Sequence, residues 1–314
     1  MMGVSVIIPV YNREKYVGEA IRSVLCQNYG GTLEVIVSDD GSTDRSLEIA
    51  ASFGDQIRII KKPKRCSLQG VSGARNRGIA AATQPYISFL DSDDFYLPDH
   101  LNRMAEILEN CPNLGFAFSR MLQMKEQNGK RIFAPWTRSH ISKKDIQHPV
   151  VSGHNIVSTN TFLFRREVFE KAGLFNETYS NGEDGDLWMR ISELFEGNFV
   201  DHYGAVYRIG HGVGQLTDSK NEKSIRDCAL KIFSSALTRF SNLPKKDRYR
   251  LFRLRLILAA LEYQKHSNFC FFCALSNVAL RHPFCTLINT INRFARRSFR
   301  NKFNEWKNLS LFIG

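Results

Sequence analysis

Val4-Ser-Val-Ile-Ile-Pro-Val10 and Leu33-Glu-Val-Ile-Val37 are apolar runs of strand length, and each runs into a polar turn: Tyr11-Asn12 after the first, Ser38-Asp-Asp-Gly-Ser-Thr-Asp44 after the second. Unbroken apolar runs mark strands buried on both faces, as in a parallel sheet. Between them Val17, Ile21, Val24 and Leu25 fall on one face of a helix. The alternation continues. Ile57-Arg-Ile-Ile60 reads as a third strand, Ser72 to Ala82 as a helix of small residues able to pack close to a sheet, and Tyr86-Ile-Ser-Phe-Leu90 as a fourth strand ending in Asp91-Ser-Asp-Asp94. Pro98 opens a helix with Leu101, Met104, Ala105 and Leu108 at i, i+3, i+4 and i+7, and Gly115 to Arg120 reads as another strand. Such alternation predicts an α/β fold, a doubly wound and mostly parallel sheet with helices on both faces. Ligands of these sheets sit beyond the carboxyl ends of the strands, so the acidic turns at 39–44 and 91–94 are expected in one site.

Ser42 or Thr43 is the expected N-cap of the helix after the second strand. Further on, Lys125 to Lys130 reads as a polar loop, Thr161-Phe-Leu-Phe164 as a strand and Arg166 to Ala172 as a helix. Glu183-Asp184-Gly-Asp186 opens a helical stripe of Leu187, Ile191 and Leu194, and Ala205 to Ile209 is strand-like. From Asn221 the pattern is helical to the end, with basic residues among Leu, Phe and Ile. The expected organisation is a catalytic domain over 1–218 and a basic helical C-terminal region over 219–314.

Of 314 residues 43% are apolar, enough for a sizeable core. The net charge of +12 is unevenly placed. Residues 239–314 carry 15 Lys and Arg against 3 Asp and Glu; subtraction from 43 and 31 leaves 28 of each sign in residues 1–238. A neutral body argues against a nucleic-acid enzyme, and a basic tail suits an anionic membrane surface or a solvated helical cap. Seven scattered cysteines and no signal peptide ahead of the first strand predict a reduced, cytoplasmic setting, and Cys270-Phe-Phe-Cys273 reads as buried helix cysteines. No apolar run reaches membrane-spanning length; Phe269 to Leu280 comes nearest.

The chemistry is carried by short acidic motifs. Asp91-x-Asp93-Asp94 at a strand end can hold a divalent cation bound to a diphosphate, or can cap the following helix. The Asp40 carboxylate can accept the imide N–H of uracil, or belong to a capped turn. Tyr11 can stack on a base or sit in the core. Arg75, in Gly73-Ala-Arg75-Asn76-Arg77-Gly78, can reach phosphate at a helix start or lie on a solvated face. Asp184 can act as general base toward an acceptor hydroxyl, with Glu183 orienting the acceptor; both can equally be helix-start acids favoured by the dipole. His211 is a metal ligand or a loop residue.

In order, Val4 to Asn12, Glu34 to Asp44, Gly73 to Gly78, Phe89-Leu-Asp-Ser-Asp-Asp94 and Gly182-Glu-Asp-Gly-Asp-Leu-Trp-Met-Arg190 resemble the family 2 glycosyltransferases over about residues 3–212. The resemblance implies a glycosyltransferase A fold, an inverting single displacement and a Mn2+ or Mg2+ cofactor. It implies a donor site in which Asp40 reads uracil, Pro9, Tyr11 and Asn12 line the base pocket, Arg75 and Asp94 lie alongside, and Asp91 contacts ribose or sugar. Asp93, with His211, would hold the metal, and Asp184 would be the base beside Glu183. The Gln-x-x-Arg-Trp of processive synthases is missing, since Gln215-Leu-Thr follows His211, which points to single additions.

The expected partners are a UDP-sugar donor and a glycan or lipid-linked glycan acceptor in bacterial surface polysaccharide or glycolipid assembly, with the tail, strongest at Arg293 to Lys302, on the inner face of the membrane. The acceptor loops are expected within 125–160, including His154 and Asn155. A sugar nucleotidyltransferase is the rival enzyme, disfavoured because Pro9 to Arg13 holds no glycine. A non-catalytic nucleotide-sugar-binding scaffold is the rival from another class.

Overall fold

The computed structural model describes residues 1–63, 70–137, 139–141 and 158–210, with the single positions 228, 231, 232 and 235. The chain divides into two compact units, Met1–Cys228 and Ala229–Gly314. His211, Gln215, His154, Asn155, Cys270, Cys273 and the Arg293–Lys302 stretch lie outside the described residues. Within the expected C-terminal region, 219–314, the described positions 228, 231, 232 and 235 are helical. Among the described residues no helix is long and apolar enough to cross a membrane.

The described elements run β1 (Val4–Val10), α1 (Val17–Leu25), β2 (Leu33–Asp39), α2 (Ser46–Ala51), β3 (Arg58–Lys61), α3 (Val71–Ala81), β4 (Tyr86–Phe89), β5 (Phe95–Tyr96), α4 (His100–Asn110), β6 (Leu114–Gln127), β7 (Lys130–Pro135), β8 (Phe162–Arg165), α5 (Glu167–Ala172), α6 (Glu183–Leu194) and β9 (Glu196–Ile209). One sheet is ordered β3-β2-β1-β4-β8-β6-β9-β5, with β7 paired to β6. The first four strands in that order are parallel, with Val10 beside Asp39 and Ile7 beside Phe89. Strand β8 then enters antiparallel between β4 and β6, and β9 runs parallel to β6.

Helices cover both faces, and strand alternation decides which side chain meets which layer. On β1, Val4, Val6, Ile8 and Val10 face α1 and α4, against Val17, Ile21, Val24, Leu101, Met104 and Leu108. Ile7 faces the opposite layer, with Ile36, Ile87, Phe89 and the helix residues Ile79, Val168, Leu187, Trp188 and Ile191. That second layer is aromatic. Phe162 and Phe164 stack at 4.9 Å, and Trp188 lies 4.8 Å from each. Pairs of this kind add roughly 0.5–1.5 kcal/mol each beyond their buried area, and here they clamp α6 onto β8.

The local departures from the sequence reading have simple causes. Lys125 to Lys130 is not a loop: β6 continues through Gln127 and turns into β7 at Asn128-Gly129, both at positive φ, the geometry of a two-residue hairpin. Neither Ser42 nor Thr43 caps α2: its N-cap position is Arg45, without a side-chain cap, and Asp44 just before it accepts the Ser46 N–H at 2.9 Å, while Ser42 Oγ accepts the Asn12 N–H. Leu194 is exposed rather than buried, because α6 ends there and the chain leaves as β9.

Candidate active site

Because β1, β2 and β4 are parallel, their carboxyl ends bring three polar turns to one edge. The Asn12 amide ties the first to the second, accepting the Thr43 N–H at 2.8 Å. Asn12, expected in the donor site, is therefore a brace between turns at positive φ. Pro9 is buried within β1, and Tyr11, half exposed, projects at the strand end. Asp39 folds back onto its own turn and accepts the Gly41 and Ser42 N–H groups. Asp40 faces away from that turn: its Oδ1 accepts Arg77 Nη2 at 2.9 Å and its Oδ2 accepts the Gly70 N–H at 2.7 Å.

The turn after β4 is held from several sides. Asp94 is 1% exposed, and its two oxygens accept Asn160 Nδ2 at 2.6 Å and the Arg208 N–H at 2.8 Å. It is thus an internal staple that ties the turn after β4 to Asn160 and to β9. Burial, together with the charges of Asp93 and Asp91, pushes its carboxyl well above the usual range. The Asp93 Oδ2 accepts Arg13 Nε at 3.1 Å, and its carbonyl accepts Arg208 Nε. Asp91 is the more open acid, with its side chain about a third exposed.

Arg75 is 4% exposed and lies across the site. Nη2 donates to Asp91 Oδ1 at 2.8 Å and Nη1 to Glu183 Oε1 at 2.7 Å, while the guanidinium covers the Phe175 ring at 5.2 Å. Both terminal nitrogens are engaged by carboxylates, so that Arg75, expected to reach phosphate, joins the turn after β4 to the start of α6. Desolvation, then the Asp184 charge, raises the Glu183 carboxyl, and Arg75 opposes this. Desolvation raises Asp91 as well. Asp184 is partly exposed at the first turn of α6; its Oδ1 accepts the Gly185 N–H and its Oδ2 accepts Thr159 Oγ1 at 3.4 Å.

The structure thus gathers Tyr11, Asp40, Asp91, Asp93, Glu183 and Asp184 at one edge. Thr159, Asn160, Arg13, Arg77 and Arg208 were not foreseen from the sequence in these contacts. For a divalent cation, the donor set is the partly exposed pair Asp91 and Asp93: hard oxygen ligands, few in number, as suits a cation that also takes phosphate and water. Burial first, and then the crowding of the three acids, raises Asp91 and Asp94; a bound cation would relieve that crowding, so the residues fit. Among the described residues, no group of three His, Cys, Asp or Glu forms a metal site.

With this geometry in view, the comparisons are specific. The model of the family described as Glycosyl transferase family 2 matches residues 5–173, more than half of the chain. An uncharacterized glycosyltransferase of Rickettsia typhi is 34% identical over 198 residues, covering 61% of this chain and 60% of that protein. One from Nostoc is 34% identical over 173 residues, 54% of this chain and 53% of that protein. The chain therefore spans 60% or less of the length of these curated relatives. Among solved structures, S. aureus TarS 1-349 in complex with UDP-GlcNAc superposes with a TM-score of 0.62 at 18% identity, covering 94% of this chain and 81% of that one. The Pyrobaculum calidifontis mannosyltransferase PcManGT, in complex with GDP-Man and Mn2+, gives 0.59 at 16% identity, covering 98% and 84%. At such identities the likeness speaks to the fold, and the glycosyltransferase A fold expected from the sequence is the one found.

Proposed function

The chain belongs to glycosyl transferase family 2, and on that premise we propose that it moves a sugar from a UDP-sugar to an acceptor hydroxyl with inversion at the anomeric carbon. The observation that carries this reading is the Arg75 bridge, which sets the donor-side turn at Asp91 and the acid pair Glu183–Asp184 face to face across one guanidinium. A UDP-sugar is favoured because the Asp40 carboxylate, with its remaining lone pairs, can accept an imide N–H beside the half-exposed ring of Tyr11. The TarS complexes with UDP-GlcNAc and UDP support the same choice.

In the proposed step Asp184 accepts the proton of the acceptor hydroxyl while that oxygen attacks the anomeric carbon. The bond from that carbon to the diphosphate oxygen breaks, and the nucleoside diphosphate leaves with the electron pair. Glu183, held by Arg75, orients the acceptor. Mn2+ or Mg2+, held by Asp93 with Asp91 beside it, would neutralise the charge of the leaving diphosphate. The catalytic domain is assigned to 1–218 and the basic region to 219–314. A glycan or lipid-linked glycan on an anionic membrane surface, met from the cytoplasmic side, is the acceptor that the charge distribution favours.

Asp184→Asn tests the assignment. Turnover should be abolished and donor binding by calorimetry unchanged. Turnover at the wild-type rate would remove Asp184 from the role of base.

A further inference from the structure

Thr159 and Asn160 are 3% and 0% exposed and adjacent, on a 3-10 turn closed by a reciprocal cap: the Ser158 side chain accepts the Thr161 N–H, and Thr161 Oγ1 accepts the Ser158 N–H. The turn leads directly into β8, which pairs with β4, and Ser88 Oγ on β4 donates to the Phe162 carbonyl at 2.6 Å. It is therefore anchored to the strand whose end carries Asp91.

Asn160 faces the donor-side turn. Its Oδ1 accepts the Asp91 N–H at 2.8 Å and its Nδ2 donates to Asp94 Oδ2 at 2.6 Å, so the amide has one orientation. The preceding residue faces the other acid, with Thr159 Oγ1 donating to Asp184 Oδ2 at 3.4 Å. Two neighbouring side chains thus reach both halves of the site from one rigid piece of backbone.

We propose that Thr159 and Asn160 are positioning residues, a second bridge opposite Arg75 that fixes the acceptor-side carboxylate of Asp184 relative to the Asp91–Asp94 turn. The proposal rests on the function proposed above. The two bridges differ in kind. Arg75 joins Asp91 to Glu183 by charge, whereas Thr159 and Asn160 join Asp91 and Asp94 to Asp184 by neutral donors and acceptors. Since displacement of a reacting group by about 1 Å can cost 10²-fold in rate, a bridge of this kind acts on kcat before it acts on donor affinity.

Steady-state kinetics on the full chain, with the nucleotide sugar that wild-type protein turns over, test this. Thr159→Val keeps the shape of the side chain and removes only the hydroxyl. It should lower kcat roughly tenfold with donor KM nearly unchanged, and Thr159→Ser should restore the rate. Asn160→Leu, which frees Asp91 and Asp94 as well, should raise donor KM and lower kcat together. Wild-type kcat in Thr159→Val, or a loss that Thr159→Ser does not rescue at equal melting temperature, overturns the positioning role. Wild-type protein that turns over no nucleotide sugar sinks the proposed function first, and this role with it.

Discussion

Arg75→Met is the perturbation on which the account of the site depends most. The side chain is 4% exposed and ion-paired to Asp91 and Glu183, so its removal leaves two acids without their cation. Breaking a buried pair from one side costs about 3–5 kcal/mol. Four features of this site move the figure within that range. Asp91 is open enough to rehydrate, which lowers the cost. Arg75 Nε is itself buried without a hydrogen-bond partner, and its removal relieves that donor. Glu183, with its side chain 7% exposed, cannot rehydrate, and the contact with Phe175 is lost as well. The expected loss is therefore about 3 kcal/mol, or roughly 6–12 °C in melting temperature at about 2–4 °C per kcal/mol. The sign of its pH dependence follows. Glu183 titrates above its usual range in the fold, through burial first, and higher still without Arg75. The folded variant then binds more protons than the unfolded chain, so its deficit relative to wild type should shrink as pH falls from about 7 to 5. Urea unfolding of both proteins at the two pH values measures this, and adding Glu183→Gln to the variant should recover most of the loss. A deficit under about 1 kcal/mol, or one that grows on acidification, would refute the reasoning.

His100 is fully buried, neither ring nitrogen has a hydrogen-bond partner, and burial, with His202 close by, lowers it to about 3. Its contribution is complete above the unfolded value near 6.5 and is lost at about 1.4 kcal/mol per pH unit below it; His100→Leu should remove that slope from urea midpoints measured between pH 7 and 5. A Cβ at Gly78 on α3 would lie 2.3 Å from Ile7 Cγ2 on β1. Gly78→Ala should therefore destabilise by roughly 1–3 kcal/mol in thermal melts despite the better helix propensity of alanine.

The strands that carry the site were legible because parallel strands buried on both faces read as unbroken apolar runs; β1, β2 and β4 fall where Val4 to Val10, Leu33 to Val37 and Tyr86 to Leu90 indicate. Leu101, Met104, Ala105 and Leu108 gave α4 by period, and all four are buried. The hairpin has its signal in Asn128-Gly129, set between charged residues that read as a polar loop. The pairings inside the site had no signal of that kind. Arg75 meets Glu183 across 108 residues, Asn160 meets Asp94 across 66, and Arg208 reaches the Asp93 carbonyl across 115. No spacing or propensity encodes such contacts; they are set by the sheet order, in which β8 inserts beside β4 and β9 beside β6. For the same reason the partners of Arg75 and Asp94 are not legible in the sequence.

The central claim is that this edge binds a nucleotide sugar and cleaves its glycosyl–phosphate bond. The direct test is a panel of UDP-, GDP- and dTDP-sugars offered to the purified full chain, with Mn2+ and with chelator, read by calorimetric binding and by release of the nucleoside diphosphate. The expected result is metal-dependent binding and slow hydrolysis of a UDP-sugar, both weakened by Asp93→Ala. Folded protein that binds none of the panel, with or without metal, would contradict it.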